Sequence, residues 1–487
     1  MEQTRYLTRR GLLRGAAAVA GLSTVGLVAG CSTLAKSASP TKKSAPVVIT
    51  YAPWGQWTEI GSDWQKYMQP AINYFQEQPA NKGIQVQIVA PGGAGHFGPT
   101  IASGVSIPDV FEDWLPAYYL SPTGNLVMNL DKLMQEDGIK KTLWSPGQMN
   151  ALSTESGTYF LPCYVDVAVF AVNLSNLDAL GLQYPDPEWD YQAAQQAFQA
   201  ATLTKGTQQY IGATLIFPGN FLAAATTVSR AYAFHAFNAP VMDSTRTQCL
   251  LDSAEALQAL QWWDTLYWDK IAGGPGLDNG STYVESGSNT ILSYFEQYTG
   301  FNWTYFPVPK YPNGQVAFES TDFHAINILT KHPDEAWQFL KFVSADPYWA
   351  NYTMKMLLRP PGLLSAWDNF PSIVESVVGS LAQKVNVQYY VQAAQEWGYA
   401  GRIFKYEDEQ AMTLLNTALS QVLSSGNAAG LASTMTAAVK AVNTLEQQAI
   451  AAAASTTKSS ASSSSTSSSS GSSASSSSTS SSSKSGG

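Results

Sequence analysis

The sequence predicts an α/β protein of two or three domains, built on a parallel sheet with covering helices. Three observations carry that prediction. The stretch from 47 to 111 reads β-α-β-α-β with short connections, which is the pattern of parallel strands joined by helical crossovers. The chain has 487 residues, 45% of them hydrophobic and only 13% charged, enough for large cores under a sparsely charged surface. Between them in importance lies residues 159–173, YFLPCYVDVAVFAVN, the most strand-like run in the chain.

From Tyr164 that run is almost entirely β-branched or aromatic, which reads as a strand buried on both faces. Pro162 cannot donate a ladder hydrogen bond and marks where the strand joins its sheet. Asp166 is the anomaly, because a carboxylate in such a run costs several kcal/mol unless it is hydrogen-bonded. Two readings stand: a core acid paired with a backbone N–H or a buried Arg, or a ligand-binding acid at the mouth of a cleft.

The N-terminus bears on location. Thr8-Arg9-Arg10-Gly11-Leu12-Leu13-Arg14 fits a twin-arginine export signal. Residues 15–30 are apolar, but too short and too rich in Ala and Gly for a stable membrane span. Val28-Ala29-Gly30-Cys31 resembles a bacterial lipobox, in which Cys31 is lipidated and becomes the new N-terminus. The alternative is an ordinary cleaved signal peptide with an incidental cysteine. Each buried CH₂ contributes about 0.8 kcal/mol, so a multiply acylated Cys31 would hold the protein at the membrane. Residues 32–46 form a flexible linker, and no other segment reaches about 18 consecutive apolar residues. The expected product is a soluble domain, lipid-anchored on the extracytoplasmic face of the cell membrane.

Taken in order, a strand at 47–51 ends in Ala52-Pro53-Trp54-Gly55-Gln56-Trp57, two tryptophans on a loop. A helix is expected over 61–78, then a strand at 84–90, a short helix ending near Gly104, and a strand beginning at Ile107-Pro108-Asp109-Val110-Phe111. Short helices and turns fill 125–157 before the central run. Helices follow at 176–182 and from Trp189-Asp190 to about 202, then a strand at 210–217. Asp252-Ser253-Ala254-Glu255 reads as a capping box. It launches a helix with Ala256, Leu260, Trp263 and Tyr267 on one face, Trp262 and Trp268 lying off it. Residues 301–307 read as an aromatic turn containing Trp303. After a strand at 323–329, Pro333 suits a first helical turn, and Ala336, Phe339, Leu340 and Val343 complete a helical stripe. Three helices are expected at 371–382, 406–424 and 428–454, before a disordered Ser-rich tail at 455–487.

Chemistry-bearing motifs are scarce. The net charge of −9 argues against nucleic acid. The four histidines, His96, His235, His324 and His332, form no metal-ligand spacing, and no GxSxG occurs. Cys163 and Cys249 are far apart and are expected to be free, buried thiols. Gly93-Ala94-Gly95-His96-Phe97-Gly98 fits GxGxxG, with Asp113 about twenty residues on. It follows the second strand rather than the first, its helix is short, and Pro91 displaces it from the strand end. No cofactor and no metal is therefore expected. Fourteen Trp and 24 Tyr exceed the needs of core packing and suit amphipathic ligands.

These landmarks together resemble bacterial extracellular solute-binding proteins of family 1, the branch similar to maltose-binding protein, which delivers sugars to ABC importers. The resemblance covers about 47–452. It rests on Ile107-Pro108-Asp109-Val110, on Tyr159-Phe160-Leu161-Pro162 leading to Asp166 and Asn173, on Trp189-Asp190, and on KHPDEAWQFLKFV at 331–343. It implies a periplasmic-binding-protein type II fold: lobe one from 47–163 and 320–370, lobe two from 164–319 and 371–454, closing on a ligand between them. The implied contacts are Trp54 and Trp57, Asp113 and Trp114, Tyr164 and Asp166, and Arg359 with Trp397 and Arg402, with Trp303 as an addition from the aromatic turn. At 287–290, Gly-Ser-Asn-Thr departs from the family's usual helix start. The implied protein is a monomeric non-enzyme that partners with a sugar and with ABC permease subunits. Acids and arginines suit a sugar's hydroxyl rim and aromatic rings its C–H face. An exported carbohydrate-active hydrolase, whose two carboxylates sequence alone does not reveal, or a nucleotide-dependent oxidoreductase is the alternative.

Overall fold

The computed structural model describes residues 45–465, apart from 55–56, 58–61, 92–96, 115, 121–124, 216–226, 274–275, 287–294, 296–297, 321, 403, 407 and 427. The leader with Cys31, the linker up to 44, the glycines at 93 and 95, residues 287–290 and the tail beyond 465 lie outside the described residues.

Lobe one opens with β1 (Val47–Ala52), β2 (Ile84–Ile88), β3 (Val110–Asp113) and the short β4 (Leu161–Pro162). Lobe two holds β5 (Val169–Asn173), β6 (Leu203–Lys205), β7 (Gln208–Thr214), β8 (Ser281–Ser286) and β9 (Trp303–Phe306). The chain then returns to lobe one as β10 (Phe323–Ile326). The first sheet runs β2-β1-β3-β10-β4 and the second β9-β5-β8-β7-β6. β1 is parallel to both β2 and β3, and β10 is antiparallel to β3 and β4. In the second sheet β7 and β8 are parallel, and β5 is antiparallel to β8 and β9.

Local patterning explains these elements. β2, IQVQI, exposes Gln85 and Gln87 and half-buries the residues between them, as an edge strand with one wet face does. The helix Trp64–Glu77 buries Trp64, Met68, Ala71, Ile72 and Phe75, one continuous helical stripe. The helix Pro333–Ala345 has Pro333 in its first turn, as expected, and buries Ala336, Phe339, Leu340 and Val343. The first sheet thus lies between two apolar layers, one containing Ile49, Phe75 and Phe339, the other Phe97, Phe111 and Phe160. Lobe two has its own larger core around Phe170, Trp189, Phe198, Trp263 and Tyr283. The helix Pro347–Leu357 straddles the two, giving Trp349 and Leu357 to one core and Ala350 and Met354 to the other.

Four sequence expectations need correction. The run 159–173 is not one strand: it pairs as β4 in lobe one and β5 in lobe two, and 163–168 passes between the sheets. The segment 301–307 is not a turn, since Trp303–Phe306 forms an edge strand against β5. The helix Ala254–Trp268 is capped by Ser253, whose side chain accepts from the Ala256 N–H, not by Asp252; Trp262 is core, packed on Tyr191, Phe237 and Tyr311. The last helix, Leu431–Ser465, runs into the stretch expected to be disordered, because Ala449 and the four alanines at 451–454 have high helix propensity and no Gly or Pro follows before Ser465.

Candidate functional site

Three chain segments cross between the lobes, and backbone hydrogen bonds bind them together. The Cys163 N–H donates to Asp322 O (3.1 Å), Ser320 N–H to Asp166 O (2.8 Å) and Ala168 N–H to Phe318 O (2.9 Å). The third crossing is fixed by Val165 N–H to Pro360 O (2.9 Å) and Gly362 N–H to Cys163 O (2.8 Å). Gln148, wholly buried on the lobe-one helix Pro146–Leu152, donates through Nε2 to both Tyr164 O (2.6 Å) and Ser320 O (3.0 Å). Lobe one thereby grips two of the three crossings.

Strand direction then locates the cleft. Asp113, at the carboxyl end of β3, pairs with Phe323, which follows the second crossing directly. Glu285 and Ser286, at the carboxyl end of β8, pair with Phe170 and Val169, which follow the first crossing. Both sets of parallel strands therefore point their carboxyl ends toward the hinge, the edge at which open α/β sheets bind ligands. Each end presents a buried acid held by a tyrosine. Tyr119 donates to Asp113 Oδ2 at 2.5 Å, and Tyr232 donates to Glu285 at 3.3 Å. Burial, reinforced by Asp113, pushes the Tyr119 hydroxyl well up, so it remains a donor. The sequence reading overlooked Glu285. Its signal was an acid closing a β-branched strand, VES at 284–286, as in FED at 111–113.

The structure distributes the expected contacts unevenly. Asp113, Trp114 and Trp54 come together along the lobe-one edge. Trp54 is half-buried, and its N–H donates to Glu112 Oε2 (2.6 Å), tying the loop to a buried network in which Glu112 also meets Tyr51 and, at 3.1 Å, His324 Nε2. Trp57 is not on this edge: it is fully buried, packs on Trp349 and donates through Nε1 to the Tyr164 hydroxyl (3.2 Å). Tyr164 is equally buried, under the Arg359 guanidinium, whose carbon stands 5.2 Å from the ring centroid. Trp303 is placed elsewhere. It pairs with Asn173 at the hinge-distal end of β5, gives its indole N–H to Tyr298 O (3.0 Å), and lines a separate lobe-two cavity of about 400 Å³. Trp397 is buried in the lobe-two core.

Asp166 takes the paired form of its two readings. Its carboxylate is bonded to Nη2 of Arg359, which lies 3.9 Å from Asp322 Oδ2, and all three residues are buried. Burial alone would lower the Arg359 pKa, but Asp166 and Asp322 raise it well above the usual value. Asp322 is pushed up by burial to about 6 against the pull of Arg359. The triad ties the first crossing to the second and third.

Arg402 joins a second contact between the lobes. Glu155, on the lobe-one hairpin at 153–158, accepts from Arg246 Nη2 (2.6 Å) and Nε (3.2 Å) and from Arg402 Nη2 (2.5 Å), both on lobe two. Burial raises the Glu155 pKa, but the two arginines outweigh it and bring it to about 2. Arg246 holds a left-handed backbone (φ 60°) that few non-glycine residues adopt. Asp243 supports it by accepting from the Thr247 and Gln248 N–H groups at 2.9 Å. Cys163 and Cys249 are free, buried and in different lobes. Among the described residues no cluster of His, Cys, Asp or Glu could hold a metal, and no helix is long and apolar enough to cross a membrane.

Among curated proteins no sequence matches. Solved structures do match in fold. A cyclic alpha-maltosyl-1,6-maltose binding protein from Arthrobacter globiformis is similar with a TM-score of 0.64 at 14% identity, covering 83% of this chain and 100% of its own. A sugar transporter protein from Rhizobium etli, in an open conformation, gives 0.63 at 16% identity, with 81% and 99% covered. The sugar-binding protein MalE from Xanthomonas citri gives 0.60 at 15% identity, with 83% and 98% covered. The family model for bacterial extracellular solute-binding proteins matches residues 54–348, more than half of the sequence and most of both lobes. This chain belongs to the bacterial extracellular solute-binding protein family.

Proposed function

We propose that this protein is an extracytoplasmic lipoprotein that captures a carbohydrate between its two lobes and delivers it to the permease subunits of an ABC importer. The observation that carries the reading is the convergence of the parallel-strand ends of both lobes on one hinge, in a chain of this family. Similar folds support a sugar as the solute: one from Listeria monocytogenes is in complex with cycloalternan and one from Thermotoga lettingae is bound with alpha-D-tagatose. Asp113, with Glu285 as its lobe-two counterpart, supplies carboxylate acceptors for sugar hydroxyls, and Trp54 and Trp114 supply ring faces. Asp166, Arg359, Tyr164 and Trp57 act beneath them by holding the hinge, and Arg402 by joining the lobes. The protein acts as a monomer, with no catalytic step, and Cys31 carries the lipid that keeps it at the membrane.

A thermal-shift screen of the mature domain against mono- and oligosaccharides tests the binding reading, since a ligand at 100 times its Kd stabilises by about 2.7 kcal/mol. No shift with any sugar overturns it. Turnover of a bound glycoside that is lost in Asp113→Asn would move the protein to the hydrolase class. Cys31→Ser should abolish membrane association in cell fractionation. Unchanged association without a lipid mass on the mature N-terminus removes the anchor.

A further inference from the structure

The second crossing carries an acid that the proposed binding chemistry does not use. Glu319 is wholly buried, bridges Val167 of the first crossing, and donates its backbone N–H to Tyr399 O (3.2 Å). Neither of its carboxyl oxygens makes a well-formed hydrogen bond to a described residue, although the Ser145 hydroxyl lies close enough to pull on the group. The carboxyl is lodged between two glycines from opposite lobes. A Cβ on Gly147, in the lobe-one helix Pro146–Leu152, would stand 1.9 Å from Glu319 Oε2 and 2.8 Å from the Gly398 carbonyl oxygen. A Cβ on Gly398, paired with Ala317 beside the lobe-two core, would stand 2.8 Å from the same Oε2. The acid therefore fills a seam between the lobes that closes only because both glycines lack side chains.

We propose that Glu319 is a proton-linked wedge at the hinge: it is neutral while the Gly147–Gly398 seam is shut, and loses its proton to water as the seam opens. The step is a plain ionisation in which the carboxyl O–H breaks, the carboxylate keeps the electron pair and solvent accepts the proton. Shutting the seam takes that proton back up. The inference rests on the two-lobed fold and is independent of which solute the cleft takes.

The groups facing Glu319 leave it neutral. The lobe-one helix offers Ser145 and Gln148, and Gln148 is committed to the crossings. Asp166 and Asp322 on the crossings would only repel a carboxylate, and Arg359 is engaged between them. On lobe two Tyr399 is held neutral, its pKa raised by burial, Arg402 is bonded to Glu155, and Glu396 is exposed. The helix Thr227–His235 brings Tyr232 and His235, the latter stacked on Tyr399, and burial keeps both neutral by raising the phenol's pKa and lowering the imidazole's. Burial pushes the Glu319 carboxyl up to about 8, with only a smaller opposing pull from the Ser145 hydroxyl. An uncompensated buried charge is costly, so a pH above that value favours any arrangement that admits water.

Small-angle X-ray scattering of the ligand-free mature protein, followed from pH 6.5 to 9.5, tests this. The radius of gyration of the wild type should rise with a midpoint near pH 8, and that of Glu319→Gln should stay at its low-pH value. Gly147→Ala, which props the seam, should be expanded across the whole range. Circular dichroism on each sample separates opening from unfolding. A wild-type radius that does not change with pH overturns the proposal, as does an equal rise in wild type and Glu319→Gln. If Glu319→Gln fails to fold, Gly398→Ala replaces it: a pH-dependent rise as large as the wild type's would then count against the seam.

Discussion

Asp166 and Glu319 sit at neighbouring positions of two crossings that pair with each other, Val167 bridging Glu319, and the hinge treats them in opposite ways. Asp166 has a guanidinium against it, with Asp322 sharing the same cation. Glu319, just as deep, has two glycines and no cation. A buried carboxylate survives as a charge only with a partner, so one acid serves as a tie and the other as a neutral filler. The lesson concerns motion. The tie joins crossings to one another and should persist as the lobes rotate. The filler touches one element from each lobe and should register that rotation.

The largest effect should come from taking the partner away from Asp166. Arg359→Met leaves Asp166 and Asp322 buried together without a cation, and breaking a buried pair from one side costs about 3–5 kcal/mol. Urea unfolding of the ligand-free protein should show that loss. Asp322, already pushed up to about 6 with Arg359 present, would then hold its proton at neutral pH. Asp166→Asn is the milder cut, because Arg359 keeps Asp322. It should lower the ligand-free melting temperature by several degrees while leaving the sugar affinity of the folded protein intact. An unchanged melting temperature with weakened sugar binding would instead make Asp166 a ligand contact.

For Glu319 the sign reverses. Its folded pKa, about 8, lies above the unfolded value of 4.5, so the folded state holds the proton more tightly. Stability should be highest below pH 4.5 with respect to this group, decline as pH rises toward 8, and level off above. At pH 7 the penalty is about 3 kcal/mol if the group stays buried, at roughly 1.4 kcal/mol per pKa unit. Glu319→Gln should remove that slope from melts taken between pH 5 and 8. A mutant profile parallel to the wild type's would show that Glu319 already ionises in an open seam.

Glu155 should give a smaller and differently shaped response. Its folded pKa is lowered to about 2, so its stabilisation is present above the unfolded value of 4.5 and disappears as pH falls toward 2. The Glu155 side chain is about half exposed, which screens the pair and limits its worth to about 1 kcal/mol or less. Glu155→Gln should therefore cost little at high salt and more at low salt. Equal losses at both ionic strengths would point to packing of the hairpin instead.

Much of the fold was legible in the sequence because it is locally encoded: the Val47–Ala52 strand, the alternation in Ile84–Ile88, the stripe from Ala336 to Val343. What was not legible depends on distant partners. The run 159–173 has the same apolar character whether it pairs in one sheet or passes between two, and the segments that make 163–168 a crossing lie near 320 and 360. Trp303 reads as a turn residue beside Asn302 and Gly300 until β5 is there to pair it. Of the expected contacts, Trp54, Asp113 and Trp114 follow strand ends and fall on one edge. Trp57, Tyr164 and Trp397 are aromatic for the core's sake, a use that composition does not distinguish from recognition. The isolation of Glu319 is the least legible feature, since it depends on missing side chains at 147 and 398.

The smallest expected effect on the fold belongs to Trp54, and there the separation of hinge from ligand edge is sharpest. Its ring is half-buried, while its structural tie is the backbone N–H given to Glu112, which alanine retains. Trp54→Ala should therefore leave the melting temperature of the ligand-free protein nearly unchanged. If the ring covers the C–H face of a bound sugar, lost stacking and area should weaken binding by roughly tenfold, about 1.4 kcal/mol. Trp303→Ala is the matched control: it removes a buried ring from the far end of lobe two, so it should lower stability by about 3 kcal/mol or more and leave affinity as it was. Calorimetric titration with the tightest sugar from the screen, beside thermal melts of both variants, reads the two quantities separately. Affinity unchanged in Trp54→Ala would remove that ring from the ligand edge and leave Asp113 and Trp114 to define it.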